Sequence, residues 1–317
     1  LLAGLLVGQV VGPDARGLLQ AAVVPILFVM IYPMMINIDL QEVLAAREHL
    51  APVGASLVVN FGVAPLVAIG LARLFFAGDP AYAIGLYLIA LIPTSGMTAA
   101  WTGLAGGDLE AALVAIAVNL VVAVFVLPVY LSALVGGDVG FDPNALYRQL
   151  AIVVAIPMAA GTLTRRLLLR RYGPDRFEEF KPTFGGVSSF GVMLIVFVAM
   201  AIRAESILAD PVSSAATIVP LVVFYALVLA VGAGVGRLLL SETQSVALVY
   251  ATSMRNLSIA LAIAAAPGFP PAESVLPIAL AYLVQPPLGA VYMQYRRDVV
   301  DADRSVTDVL RERLSGS

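Results

Sequence analysis

The sequence has no cysteine and a single histidine, His49. Disulfides, thiolate metal sites and cysteine nucleophiles are excluded, and one imidazole cannot anchor a multi-histidine metal centre. Charge is scarce: Asp, Glu, Lys and Arg together make up 12% of 317 residues, against 61% hydrophobic residues, with a mean hydropathy of +0.97. So little polar material cannot cover a water-soluble globule, and a basic face for nucleic acid is also missing. What remains is a helical, polytopic membrane protein whose first partner is the lipid bilayer.

Apolar runs bounded by Gly, Pro or charge predict spans at residues 1–12, 18–37, 51–76, 81–106, 109–135, 147–169, 183–203, 212–239, 243–266 and 273–295. The first, LLAGLLVGQVVG, falls short of the roughly 20 residues a spanning helix needs and reads as a truncated span. Between the second and third, DLQEVLAAREHL spaces Leu40, Val43, Leu44 and Leu50 as an amphipathic surface helix would, with His49 an interfacial side chain.

Ten spans divide into a first repeat at 1–135 and a second at 149–296, joined by a polar link at 136–148 and followed by a charged tail at 297–317. Both halves place oddities at matching points. The fourth span is interrupted by Pro93-Thr94-Ser95-Gly96 and the ninth by Thr252-Ser253-Met254-Arg255-Asn256. The fifth and tenth each carry an amide and a proline, Asn119 with Pro128 and Gln285 with Pro286. Five spans per half make the second copy inverted, and matching interrupted helices in inverted halves mark a site at the bilayer midplane. Backbone groups freed there must line a cavity or find protein partners, because hydrocarbon offers none.

Lys and Arg fall thirteen on one side (Arg47, six from Arg165 to Lys181, Arg237 and five in the tail) and four on the other (Arg16, Arg73, Arg148, Arg203). This excess puts both termini in the cytoplasm, as expected of a multi-pass plasma-membrane protein. The eighteenth basic residue, Arg255, lies about ten residues, or roughly 15 Å, from either end of its span. Snorkelling does not reach that far, and a cation in lipid costs at least about 3 kcal/mol. No carboxylate lies at comparable depth, so its partners are backbone carbonyls, amide side chains or a bound anion.

Thr252 and Asn256 share a helical face beside Arg255 and Ser253; Thr94, Thr98, Trp101 and Thr102 share one on the fourth span. Together with Ser95, Asn119 and Gln285 they form a candidate polar substrate chamber. Asn60, Thr98 and Asn256 are also candidate contacts for a coupling ion. No cofactor is called for. Ser95 and Ser253 lack a membrane-embedded base, which argues against an intramembrane enzyme; a channel or a structural bundle is the remaining alternative.

PTSGMTAAWTGLAGGD at 93–108, followed by Asn119 and Pro128, together with Asn60-Phe61 and Pro65 and SMRNLSIALAIA at 253–264, resembles the bile acid:sodium symporter and arsenical-resistance (arsenite exporter) superfamily. The resemblance implies ten helices in two inverted repeats, a panel and a core domain, discontinuous helices 4 and 9 crossing at their unwound centres, and alternating access. It also exposes departures. Ala251 and Arg255 stand where the sodium-coupled branch has Glu and Gln, and Thr98-Ala99 where it has Ser-Asn. Near Thr94, ahead of the matching Met97 and Trp101, the arsenite branch has Cys. A fixed guanidinium repels sodium, and without a thiolate soft arsenic(III) coordination is lost. The expectation is therefore a secondary transporter of a small anionic solute, with arsenite efflux by a cysteine-free variant as the runner-up.

Overall fold

A computed structural model describes residues 2–39, 46–135, 147–148, 151–209, 211–265 and 272–300. Among these residues the regular structure is helical, apart from one isolated two-residue β-bridge. Six helical segments are long and apolar enough to cross a membrane: Asp14–Asn37, Leu50–Phe75, Leu109–Leu134, Ile156–Ile202, Ser214–Leu239 and Val275–Asp298.

Helix α1 (Leu2–Val10) lies along the last helical stretch before residue 209, and the approach is close because of two glycines one turn apart. A Cβ at Gly4 would sit 2.8 Å from the Met200 Cβ, and one at Gly8 2.8 Å from the Ala201 Cα. Such small-xxx-small spacing lets helix backbones touch where hydrophobic transfer gives no driving force. Helix α2 (Pro13–Asn37) starts five residues before the expected span, with Pro13 in its first turn, where a missing N–H is harmless and φ is already helical.

Helix α3 spans Leu50–Phe75 and relaxes into a π-turn over Val59–Val63. The cause is Pro65, which cannot donate to the Phe61 carbonyl and crowds it. That carbonyl instead accepts the Tyr130 hydroxyl of α6 (Leu109–Val135), so no polar group is stranded. The fourth expected span is two helices, α4 (Pro80–Leu91) and α5 (Gly96–Leu104), and the ninth likewise resolves into α10 (Glu242–Ser253) and α11 (Leu257–Ala265). From Ser245 to the end of α10 every residue is buried, and α11 is buried except at Ser258 and Ala265, as a helix packed on all sides requires.

The stretch expected as a basic loop between spans at 147–169 and 183–203 is helical on both sides of one residue. Helix α7 (Ile156–Ala209) is interrupted only at Gly173, with φ 79° and ψ 169°, a conformation open essentially to glycine alone. Arg165 before the turn lies 4.7 Å from the Phe177 ring after it. Twelve residues of unbroken helix would separate them by about 18 Å. The two limbs therefore fold back as a hairpin, which packs with α1 and α2. Helices α8 (Pro211–Ala216), α9 (Ile218–Leu239) and α12 (Val275–Tyr295) complete the order. Of the other expectations, half of the 39–50 surface helix (40–45), residues 136–146 of the link and the tail beyond 300 lie outside the described residues; His49 is described, its Nε2 3.6 Å from Glu110.

Candidate functional site

The two interruptions meet. Pro93 cannot continue α4, and Ile92 before it is extended (φ −91°, ψ 109°), as residues preceding proline tend to be. The chain then runs antiparallel to the second break: Thr94 bridges Arg255, Ser95 N–H donates to the Met254 carbonyl at 2.9 Å, and Asn256 N–H to the Pro93 carbonyl at 3.1 Å. Backbone groups that each break frees are thus satisfied by the other, which meets the requirement that no peptide group be left without a partner.

Gln285 from α12 completes the pairing. Its Oε1 accepts the Arg255 N–H at 2.9 Å and its Nε2 donates to the Arg255 carbonyl at 3.1 Å, while the Tyr225 hydroxyl donates to the same Oε1 at 2.9 Å. Arg255 itself is 1% exposed. Its Nη1 donates to the Ala90 carbonyl at 3.1 Å, at the C-terminal end of α4, and its guanidinium lies 5.8 Å from the Phe224 ring centre. Nε and Nη2 have no hydrogen-bond partner among the described residues, and no ion pair to Arg255 occurs there.

On the opposite ends, α5 and α11 both start with a polar cap. Ser95 Oγ accepts from Met97 N–H at 3.3 Å, and Asn256 Oδ1 from Ile259 N–H at 3.2 Å. These two N-termini open onto one cavity of about 690 Å³, lined there by Ser95, Gly96, Met97, Asn256, Leu257 and Ser258. Its floor includes Arg255, Gln285 and Tyr282, and its far wall is built by α2 and the α7 hairpin. The crossing is consequently polarised: positive helix ends face the cavity, and a guanidinium compensates the negative end of α4.

Of the residues singled out in the sequence, Ser95, Arg255, Asn256 and Gln285 line this cavity, and the others are placed elsewhere. Thr252 Oγ1 bonds the carbonyls of Leu248 and Val249, and Ser253 Oγ that of Val249, all within their own helix. Thr98 donates to the Tyr250 carbonyl at 3.2 Å, Trp101 stacks on Tyr250, and Thr94 is buried with Oγ1 unpartnered among the described residues. Asn60, presented by the π-turn, donates to Asn119 Oδ1 at 2.9 Å and to the Ala251 carbonyl at 3.1 Å; Asn119 donates to Ser56 Oγ at 2.7 Å. All three side chains are fully buried and form a separate network that ties α3 and α6 to α10.

Sequence inspection overlooked the outer wall. Asp39, Arg165 and Lys181 line the cavity, with Arg165 Nη2 2.6 Å from Asp39 Oδ2 and both Arg165 and Lys181 against the Phe177 ring. From sequence both count only with the basic loop after the sixth span and its flanks. Gly173-Pro174 was the available signal, since a turn there brings positions 165 and 181 back together.

A family model described as the Sodium Bile acid symporter family matches residues 24–210. The chain belongs to that family. Membership places it with membrane transporters rather than enzymes. Among relatives, it is 28% identical over 223 residues to "Arsenical-resistance protein Acr3" of Alkaliphilus metalliredigens, covering 65% of this chain and 62% of that protein. To the protein of the same name from Corynebacterium glutamicum it is 27% identical over 233 residues, covering 69% and 60%. "Uncharacterized protein YbaS" of Bacillus subtilis is 25% identical over 260 residues, 81% and 82% of the two chains. The chain spans about three fifths of the length of the two arsenical-resistance proteins.

Proposed function

We propose that this member of the sodium bile acid symporter family is a secondary active transporter moving a small anionic solute by alternating access through the cavity at the crossing. The single observation that carries this is the convergence of two capped helix N-termini on a cavity whose floor holds a fully buried arginine with two nitrogens that have no partner among the described residues. Helix N-termini attract negative charge, and a buried cation without a carboxylate is compensated when an anion arrives. In this proposal Arg255 is the fixed countercharge, Ser95 and Asn256 supply hydrogen bonds, and Thr94, Thr98, Trp101, Asn119, Thr252, Ser253 and Gln285 hold the crossing in shape around them.

The proposed architecture counts ten spans: α1, α2, α3, α4 with α5, α6, the two limbs of α7, α9, α10 with α11, and α12. Residues 1–135 and 149–296 are inverted repeats; α1, α2 and α7 form the panel, the remaining spans the core, and the breaks cross near the midplane of a plasma membrane with both termini cytoplasmic. The six long apolar helical segments and the paired breaks support this arrangement. Uptake of carboxylates and oxyanions into proteoliposomes, with and without a sodium gradient, tests the proposal. Uptake in the absence of sodium is expected, and strict sodium dependence would sink the idea that a guanidinium stands in for the ion. Anion transport unchanged in Arg255→Ala would make the arginine structural.

A second reading, arsenite efflux, is favoured by the names of the two arsenical-resistance relatives and by the thioethers of Met34, Met97 and Met193 around the cavity. Expression in an arsenite-sensitive host decides it: protection supports export of arsenite, and none leaves the anion proposal.

A further inference from the structure

Both arginines that line the cavity have buried nitrogens with no acceptor among the described residues: Nε and Nη2 of Arg255, and Nη1 of Arg165. Burying such a donor unpaired is costly, the more so on a cation. Arg165 is held in place rather than floating, by Asp39 at 2.6 Å and by the Phe177 ring at 4.7 Å, so its second terminal nitrogen is fixed as well. Described charges lining the cavity are Arg165, Lys181 and Arg255 against Asp39; Lys181 is paired with Glu178 at 2.5 Å and Arg165 with Asp39 through one terminal nitrogen only, so the two guanidinium groups are what offers free donors to a solute.

The contacts beside the two arginines fall at different levels along α2 and its exit. Asn256, next to Arg255, touches Met34 of α2 at 3.9 Å, whereas Arg165 pairs with Asp39, five residues further on and past the end of that helix. Helical rise followed by extended chain puts those levels roughly 7–11 Å apart. The wall between them is apolar, with Leu113, Ile116, Val192 and Met193. We propose that the solute is a dianion whose two acidic groups are separated by an apolar spacer, one acid binding at Arg255 and the other at Arg165. This rests on the anion proposal and narrows it to a substrate class.

The test compares suberate, an eight-carbon dicarboxylate, with octanoate by calorimetry on the purified full chain in detergent. A charge-assisted contact is worth about 1.5 kcal/mol or more, so suberate is expected to bind at least about tenfold tighter. Arg165→Gln should erase that advantage and leave octanoate unaffected. Asp39→Asn provides an independent check, because removing the carboxylate that competes for Arg165 should widen the advantage, whereas an ion pair with only a structural role would weaken both acids alike. Equal binding of the two acids to the wild type, or parallel weakening in Asp39→Asn, overturns the dianion inference and leaves the anion proposal standing. Failure of the folded wild type to bind either acid overturns both.

Discussion

Replacing Arg255 with methionine separates what the arginine does for the fold from what it does for the solute. The side chain is unbranched, flexible and two atoms shorter, so the change removes charge and hydrogen bonding while keeping most of the apolar stem. One bond is lost, Nη1 to the Ala90 carbonyl at 3.1 Å, worth about 1.5–3 kcal/mol as a charged hydrogen bond. Against this, Arg255 is 1% exposed with two of its three guanidinium nitrogens unpartnered among the described residues, and keeping an incompletely paired cation out of water costs several kcal/mol. The backbone pairing of residue 255 with Gln285 does not involve the side chain and survives the substitution. Desolvation outweighs the lost bond, the Phe224 contact and the compensation of the α4 end, and the variant is expected to be more stable by about 1–4 kcal/mol, the range seen when buried ion pairs are replaced by apolar groups. Thermal unfolding in detergent, followed by the fluorescence of the single Trp101 beside Tyr250, should show a rise of several degrees, with solute binding abolished in the same preparation. A fall in the unfolding temperature would refute this and make the guanidinium a staple for the end of α4.

Gln285→Leu takes the acceptor from the Tyr225 hydroxyl and one of two bonds from each of the Arg255 N–H and carbonyl, which keep Ser253 and Leu257, and should lower stability by about 1–3 kcal/mol; an unchanged melting temperature in detergent would show that the amide is dispensable. Gly173→Ala forces a Cβ onto φ 79°, ψ 169° at a cost of about 1–3 kcal/mol and should loosen the α7 hairpin, read as faster proteolysis at the turn. In the α3–α6 network, Asn60→Leu and Asn119→Leu singly leave buried amide groups unpaired, so the double variant should be less damaging than the sum of the singles; a strictly additive cycle would mean that the two amides do not act together.

The breaks were legible because proline and small polar residues inside apolar runs violate local consistency, and violations of that kind concentrate at functional sites. Arg255 stood out by the same reasoning, since depth can be counted along a helix. What its side chain touches could not be counted: Ala90 and Phe224 belong to other helices, and only the tertiary arrangement selects them. Gln285 read equally well as a ligand contact or as glue, because an amide in a membrane helix serves either purpose, and its two bonds to the Arg255 backbone depend on the partner chain being unwound at that level. Arg165 and Lys181 were misplaced for a different reason. A cluster of basic residues between apolar runs ordinarily marks a loop, and Arg166, Arg170, Arg171 and Arg176 are exposed as that pattern implies; what the pattern hides is the turn at Gly173 that brings Arg165 and Lys181 onto the cavity.

The antiparallel bridge at Thr94 and Arg255 is made by peptide groups alone. Its two hydrogen bonds ask nothing of the side chains at 94, 95, 254 and 256, provided that Pro93 keeps its carbonyl and the flanking helices keep their ends. Scaffold and cargo chemistry are therefore encoded in separate atoms of the same residues. In the proposed transporter, substitutions at 95 and 256, which line the cavity, change the charge, softness or hydrogen bonding offered to a solute while the backbone crossing stays intact. A lineage built on such a bridge can exchange one transported compound for another by single steps, each passing through a folded protein.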